Sequence, residues 1–226
     1  MFAERTRGVL AEAVADFSWL ASRGYSALAA LKLVGDRYQL AARQRDAVLR
    51  VSCSEAARQS RLARRVNAAA LAGQDVAIDG FNGIISLEVA LSGGLGLIGR
   101  DGARRDLASV HGTYRRVNET PLAIQLLVEQ LMACEPARVV WYLDRPVSNS
   151  GKLAALLREQ IARAAASWAV ELVDDVDRRV SQRGVLAVSA DSGVLSAAER
   201  WFDLAGQVVR QKVPDAWTLD FSQGEL

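Results

Sequence analysis

The sequence predicts an α/β protein: an all-helical module over residues 1–72, then a three-layer domain with a mostly parallel sheet over residues 73–226. Three observations predict it. Residues 1–72 set apolar side chains at helical spacing, with no strand-like alternation. Beyond Gly73 and Gln74, short apolar runs alternate with helical stretches, as βαβ units do. Three of those runs end in an aspartate followed by a turn rich in Gly, Asn or Ser: Ile78-Asp79-Gly80-Phe81-Asn82, Leu143-Asp144 before Ser148-Asn149-Ser150-Gly151, and Ala190-Asp191-Ser192-Gly193.

The elements follow in order. Leu10, Val14 and Phe17 form the stripe of a first helix. Arg23-Gly24-Tyr25 turns the chain, and Ser26 caps a second helix over residues 27–34. Gly35 is expected to break or bend the run. Arg37 falls on the stripe of Leu33 and Leu40, where a buried arginine needs a partner such as Asp36. Leu40, Ala47, Val48 and Val51 make the next stripe. Ser54 caps a fourth helix with Leu62, Val66 and Ala69 inward.

In the second part, strands are expected over residues 75–78, 138–143, 169–173, 185–189 and 217–221. Helices are expected over 84–91, 121–134, 152–167 and 195–211, with Thr120 and Pro121 starting the second of these. Residues 92–118 lack a period and read either as a functional loop or as a short hairpin, 95–98 turning at Gly99–Gly102.

Net charge is only +2, but residues 1–72 hold 12 Lys/Arg against 6 Asp/Glu and the remainder holds 16 against 20. A basic front on an acidic back suggests a polyanion-binding arm beside an acidic site, or simply a solvated arginine-rich surface. Cys53 and Cys134 form no CxxC pair, and the one histidine, His111, cannot complete a Cys/His metal set. Two free thiols and no signal sequence suggest a cytoplasmic protein. The apolar run 83–99 is broken by Glu88 and glycines, so no membrane partner is expected.

Strand C-termini of a parallel sheet share one edge, where ligands bind. Asp79, Asp144 and Asp191 delivered there would form a cluster that calls for a cation, because close like charges resist joint ionisation. Oxygen donors of this kind suit Mg²⁺ or Mn²⁺. Asn82 would orient phosphate or water beside Asp79. Each aspartate has the plainer alternative of capping the following helix. Glu88, Asp101 and Asp106 compete as a further acidic ligand.

For substrate phosphates the candidates are Ser148, Asn149, Ser150 and Ser192 at helix starts, with Arg104, Arg105 and Arg115 in the loop. Tyr114 is a candidate for stacking on a base, and His111 for general acid–base chemistry. Arg58, Arg61 and Arg65 share one helical face, which would extend the track.

Residues 24–38, with Ile78-Asp79-Gly80-Phe81-Asn82, Leu143-Asp144-Arg145-Pro146-Val147-Ser148-Asn149-Ser150-Gly151 and Ala190-Asp191-Ser192, resemble an uncharacterised prokaryotic family, domain of unknown function 434. That family has a helical N-terminal part and a C-terminal PIN-like (Rossmann-like) part. The resemblance implies a metal-dependent nuclease of PIN-like type acting on RNA, with Asp79, Asp144 and Asp191 holding Mg²⁺ or Mn²⁺. It departs at Gly193, where many PIN-like domains carry a further acid. Two alternatives stand beside the nuclease: a module that binds RNA or protein without cutting, and a nucleotide-phosphate hydrolase or transferase using the Ser-Asn-Ser-Gly helix start. The expected partner is nucleic acid, RNA first; self-association is open.

Overall fold

The computed structural model describes residues 2, 4–108 and 114–223. In chain order the elements are α1 (Glu4–Ser22), α2 (Ala27–Arg37), α3 (Ala42–Val51), α4 (Glu55–Arg64), a 3-10 turn (Ala68–Leu71), β1 (Asp75–Asp79), α5 (Gly80–Leu91), β2 (Gly96–Ile98), β3 (Arg104–Asp106), α6 (Thr120–Met132), β4 (Arg138–Asp144), α7 (Ser150–Arg163), β5 (Ala169–Val173), α8 (Val176–Val180), β6 (Leu186–Val188), α9 (Ser192–Ala197), β7 (Trp201–Phe202), α10 (Leu204–Lys212) and β8 (Thr218–Asp220). The fold is mixed α/β, with a helical N-terminal region and a five-stranded parallel sheet.

The chain divides into two compact units. One gathers Met1–Ala63, Leu95–Leu107 and Trp217–Leu226; the other gathers Arg64–Gly94 and Ala108–Ala216. This grouping differs from the single cut expected at residue 72 in placing residues 95–107 and 217–226 with the helices. The physical reason lies in the first unit's core. Leu10, Val14 and Phe17 of α1 pack with Ala30 and Val34 of α2 and Val48 and Val51 of α3, and the cluster continues into Leu97, Leu219 and Phe221. Helices with apolar stripes need a further layer to bury them, and here a three-stranded sheet, β3-β2-β8, supplies it. The β2–β3 hairpin forms at the place expected of residues 95–102. Residues 217–221, expected in the parallel sheet, instead pair with β2.

Local chemistry explains the helix boundaries. Ser26 caps α2 by accepting from the Ala29 N–H (3.2 Å). The helix then runs through Gly35 rather than breaking there. A side chain at position 35 would meet the Arg45 guanidinium. That group donates to the Leu40 carbonyl (3.0 Å) and the Asp36 carboxylate (2.9 Å). Arg37 is not buried: its side chain is 72% exposed and reaches Asp16 at 3.5 Å. Ser54 caps α4, accepting from the Ala57 N–H (3.2 Å). However, α4 ends at Arg64, and the residue it buries is Arg61 rather than Leu62. Val66 and Ala69 lie beyond it.

In the second unit every strand pairing is parallel, in the order β5-β4-β1-β6-β7. Val76, Ile78, Val139, Trp141 and Leu143 of the central strands pack with Ile84 and Leu87 of α5, Ile124 and Leu127 of α6, and Leu153 and Leu157 of α7. The helix expected over residues 195–211 is two helices with a strand between them. Trp201 and Phe202 pair with Ala187 and Val188 of β6. Asp203 then starts α10 by accepting from the Gly206 N–H (2.8 Å). A two-residue strand is too short to register an alternation.

Gly80 sets how closely α5 starts against β4. A Cβ there would stand 2.7 Å from Leu143 Cδ2 and 3.1 Å from the Tyr142 carbonyl oxygen. Gly80→Ala is expected to cost about 1–3 kcal/mol, the usual range for overpacking. A lower urea midpoint at unchanged slope is the expected reading; an unchanged midpoint would mean that Leu143 yields freely.

Candidate functional site

The chain runs from β1 out through β4 to β5, then returns on the other side of β1 as β6 and β7. That reversal is a topological switch point between β1 and β6, and open α/β sheets bind ligands at the carboxyl ends of the strands beside such points. Asp79 ends β1 at this crevice. Its Oδ1 accepts from the Asn82 N–H (3.1 Å), capping α5, and its Oδ2 accepts from the Ser189 hydroxyl (3.1 Å) just past β6. Asn82 Oδ1 accepts from the Ala190 N–H (2.9 Å). The crevice is thus crossed by two hydrogen bonds. The Asn82 amide oxygen is committed to the backbone rather than left for a ligand. Asp191 caps α9 through the Gly193 and Val194 N–H groups (2.6 and 3.2 Å).

The electrostatics of this edge are unusual. Burial pushes Asp79 upward. The hydrogen bonds from Asn82 and Ser189 oppose it, and the charges of Asp144 and Asp177 add to it, leaving a pKa of about 7. Asp144 ends β4 half-buried, and its pKa is raised by burial and by Asp175. Asp177 is raised by partial burial and by Asp191, Asp144 and Asp175. The three aspartates expected from strand ends therefore share one electrostatic neighbourhood, and Asp177 links them. Asp175 and Asp177 are the residues that sequence reasoning missed. The signal was present: β5 also ends in carboxylates, Val173-Asp174-Asp175-Val176-Asp177. Asp175 caps α8 by accepting from the Arg178 N–H (3.1 Å), which brings Asp177 into its first turn.

The donors are all oxygens, which suits Mg²⁺ or Mn²⁺. Among the described residues, however, no three His, Cys, Asp or Glu side chains stand together closely enough to hold a metal ion. A single coordination shell of Asp79, Asp144 and Asp191 is thus not formed. Glu88 adds nothing to it. It is buried and accepts from the hydroxyls of Tyr114 and Thr120. Asp106 is buried in the other unit, on β3, where its carbonyl oxygen accepts from Arg50 (3.0 Å).

The expected phosphate track is largely internal structure. Arg105 makes a two-pronged pair with Asp101 (2.7 and 2.7 Å), and Arg61 joins the same carboxylate (2.8 Å). Arg104 is buried and donates to Thr218 (3.1 Å). Arg58 holds Glu55 (3.0 Å) and the Arg100 carbonyl (3.3 Å). Arg65 lies 3.9 Å from Asp203 and 5.4 Å from the Trp201 ring centre. Arg61, Arg104 and Arg105 are buried in these contacts and are not open to a nucleic acid, whereas Arg58 and Arg65 keep partly exposed side chains. His111 lies outside the described residues.

Other expected residues do come together. Tyr114, Arg115 and Asn149 line one pocket of about 340 Å³, along with Arg116 and Lys152. The Tyr114 ring is buried against Phe81, so it is not open to a base. Ser148 accepts from the Tyr114 N–H through its carbonyl oxygen (3.2 Å). The buried Ser150 hydroxyl donates to the Arg145 carbonyl (3.3 Å), so it does not serve as the phosphate cradle expected of it. Ser192 is exposed at the start of α9.

No helix among the described residues is long and apolar enough to cross a membrane. No solved structure matches the chain. Residues 9–64 match a protein family of unknown function, DUF434, and residues 68–207 match a domain of unknown function, DUF5616. The chain is also 32% identical over 184 residues to an uncharacterized protein of Methanocaldococcus jannaschii, covering 80% of this chain and 86% of that one. A match across most of the parallel-sheet unit, together with this relative along most of the chain, means that the protein belongs to the DUF5616 family, with a DUF434 segment at its N-terminal side.

Proposed function

We propose that the carboxyl edge of the parallel sheet is a divalent-cation-dependent phosphodiesterase site of PIN-like type, acting on RNA. The observation that carries this reading is the raised pKa of Asp79, about 7, at the switch point and within the field of Asp144 and Asp177. Burial is the main cause of that rise, and the charges of Asp144 and Asp177 add to it; a cation beside the carboxylates would relieve it. The support is electrostatic rather than a finished ligand set. Asp79, Asp144 and Asp191 would hold Mg²⁺ or Mn²⁺, which would supply a bound water of lowered pKa. The chain's own part is to hold the cation and to orient. The pKa of about 7 belongs to Asp79 without a cation, and a bound cation would lower it and keep the carboxylate ionised. Ser189 fixes one of its oxygens and the Asn82 N–H the other.

A second reading, a module that holds RNA without cutting it, draws on Asp191. Its Oδ1 is occupied by two backbone N–H groups, and Gly193 stands where PIN-like domains often place another acid. End-labelled RNA incubated with Mn²⁺ separates the two readings. Wild type is expected to cleave, and Asp79→Asn to cleave at least about 10²-fold more slowly, the low end of the loss seen when a positioned catalytic group is removed. Equal turnover by both proteins, or none by either, would remove the nuclease. RNA retained without turnover would leave the second reading.

A further inference from the structure

We infer that the pocket at the start of α7 is an anion site for a phosphomonoester, either a free nucleotide or the phosphorylated end of a strand. It contains none of the carboxylates of the acidic edge, so it stands whether or not that edge cuts RNA.

The pocket is lined by three cations, Arg115, Arg116 and Lys152. Among the described residues none of the three is paired with a carboxylate, in contrast to Arg58, Arg61, Arg65, Arg100, Arg105 and Arg145. Three like charges around one cavity repel one another and concentrate a positive potential inside it. Lining of a single sign favours a dianion over the single charge of a phosphodiester. Two guanidinium groups suit phosphate oxygens, which they bind in pairs.

Shape narrows the ligand. At about 340 Å³ the cavity lies near the lower end of ligand pockets, ~300–1,000 Å³. That is room for one nucleotide-sized group. Leu153 and Leu156 supply an apolar wall, against which a base or sugar can pack while its phosphate meets the cations.

The scaffold behind the cations is ordered by a buried polar network. Glu88 of α5 accepts from the Tyr114 hydroxyl, and Tyr114 packs on Phe81. The Tyr114 backbone is clamped from the other side. Its N–H donates to the Ser148 carbonyl (3.2 Å), and its carbonyl accepts from Asn149 Nδ2 (2.9 Å). Asn149 pays for this clamp with a left-handed backbone, φ 69°. The residue just before Arg115 is thus pinned by its side chain and by both backbone groups.

The test uses the full chain in EDTA, with two RNA oligonucleotides identical except for a 5′-phosphate or a 5′-hydroxyl, and separately with adenosine 5′-monophosphate. Affinity for the phosphorylated oligonucleotide, the mononucleotide or both is expected to exceed that for the hydroxyl form by about tenfold or more, the value of one or two charge-assisted hydrogen bonds. The preference should vanish in Arg115→Ala/Arg116→Ala and weaken in Lys152→Ala, all at exposed positions. It should persist in Asp79→Asn, which separates this site from the acidic edge. Tight binding of the mononucleotide would assign the free nucleotide as ligand; preference only within the oligonucleotide pair would assign the strand end. No phosphate preference in either arm, or one unaffected by the arginine replacements, would overturn the inference.

Discussion

Asp101→Ala is expected to destabilise the protein by about 3–5 kcal/mol, the range measured when one partner of a buried ion pair is removed. Asp101 is almost wholly buried, and it faces two guanidinium groups that are themselves buried, Arg61 and Arg105. It also accepts from the Ala103 N–H (3.2 Å), which fixes the turn of the β2–β3 hairpin. Burial alone would raise its pKa, but Arg105 and then Arg61 outweigh burial and hold it at about 2. Removing the carboxylate strands two cations in the interior. The pH dependence follows from the depressed pKa. The contribution of Asp101 is present above the ordinary aspartate value of ~3.9 and is lost as pH falls toward 2. Chemical denaturation at pH 7 reads the first effect, and the same series between pH 5 and 2 reads the second. A loss below about 1 kcal/mol would mean that the guanidinium groups reach water without Asp101.

The second large effect has the opposite sign. Asp79→Asn is expected to be more stable than wild type at pH 8. The folded-state pKa of Asp79 is about 7. Unfolded aspartate titrates near ~3.9. Between those values the folded state binds more protons than the unfolded state, so unfolding free energy falls as pH rises and levels off above 7. The whole window is worth on the order of 4 kcal/mol by linkage. Asparagine carries no such charge, so the variant should show a nearly flat profile across this window. If the edge takes a cation, Mn²⁺ at pH 8 should raise the melting temperature of wild type and leave the variant unmoved. A variant less stable than wild type at pH 8 would show that the hydrogen bonds to Asn82 and Ser189 outweigh the buried charge. Added stability together with lost cleavage is the signature of a residue kept for function at a cost in folding.

The sheet was legible because buried parallel strands are near-continuous apolar runs. β1 and β4 accordingly lie close to where residues 75–78 and 138–143 place them, and the edge strand β5 matches residues 169–173 with exposed and buried positions interleaved. The shared edge of Asp79, Asp144 and Asp191 followed from parallel topology alone. Asp177 did not, because a five-residue helix has no period to read. The split at Trp201 was hidden for the same reason. The arginines failed differently. A helical wheel records the angle of Arg61 but not what lies opposite it, and Asp101 arrives forty residues later on a hairpin.

By itself, the sequence determined the alternation of elements and the delivery of carboxylates to strand ends. Both are set by backbone geometry over a few residues. Only the tertiary structure decided which charges are buried, which are paired and which are left without a counterion. It turned Arg61 and Arg105 into structure around Asp101, left Arg115, Arg116 and Lys152 around an open pocket, and gathered Asp177 to the edge of Asp79. Burial and charge pairing depend on segments far apart in the chain, and a local pattern carries no record of them.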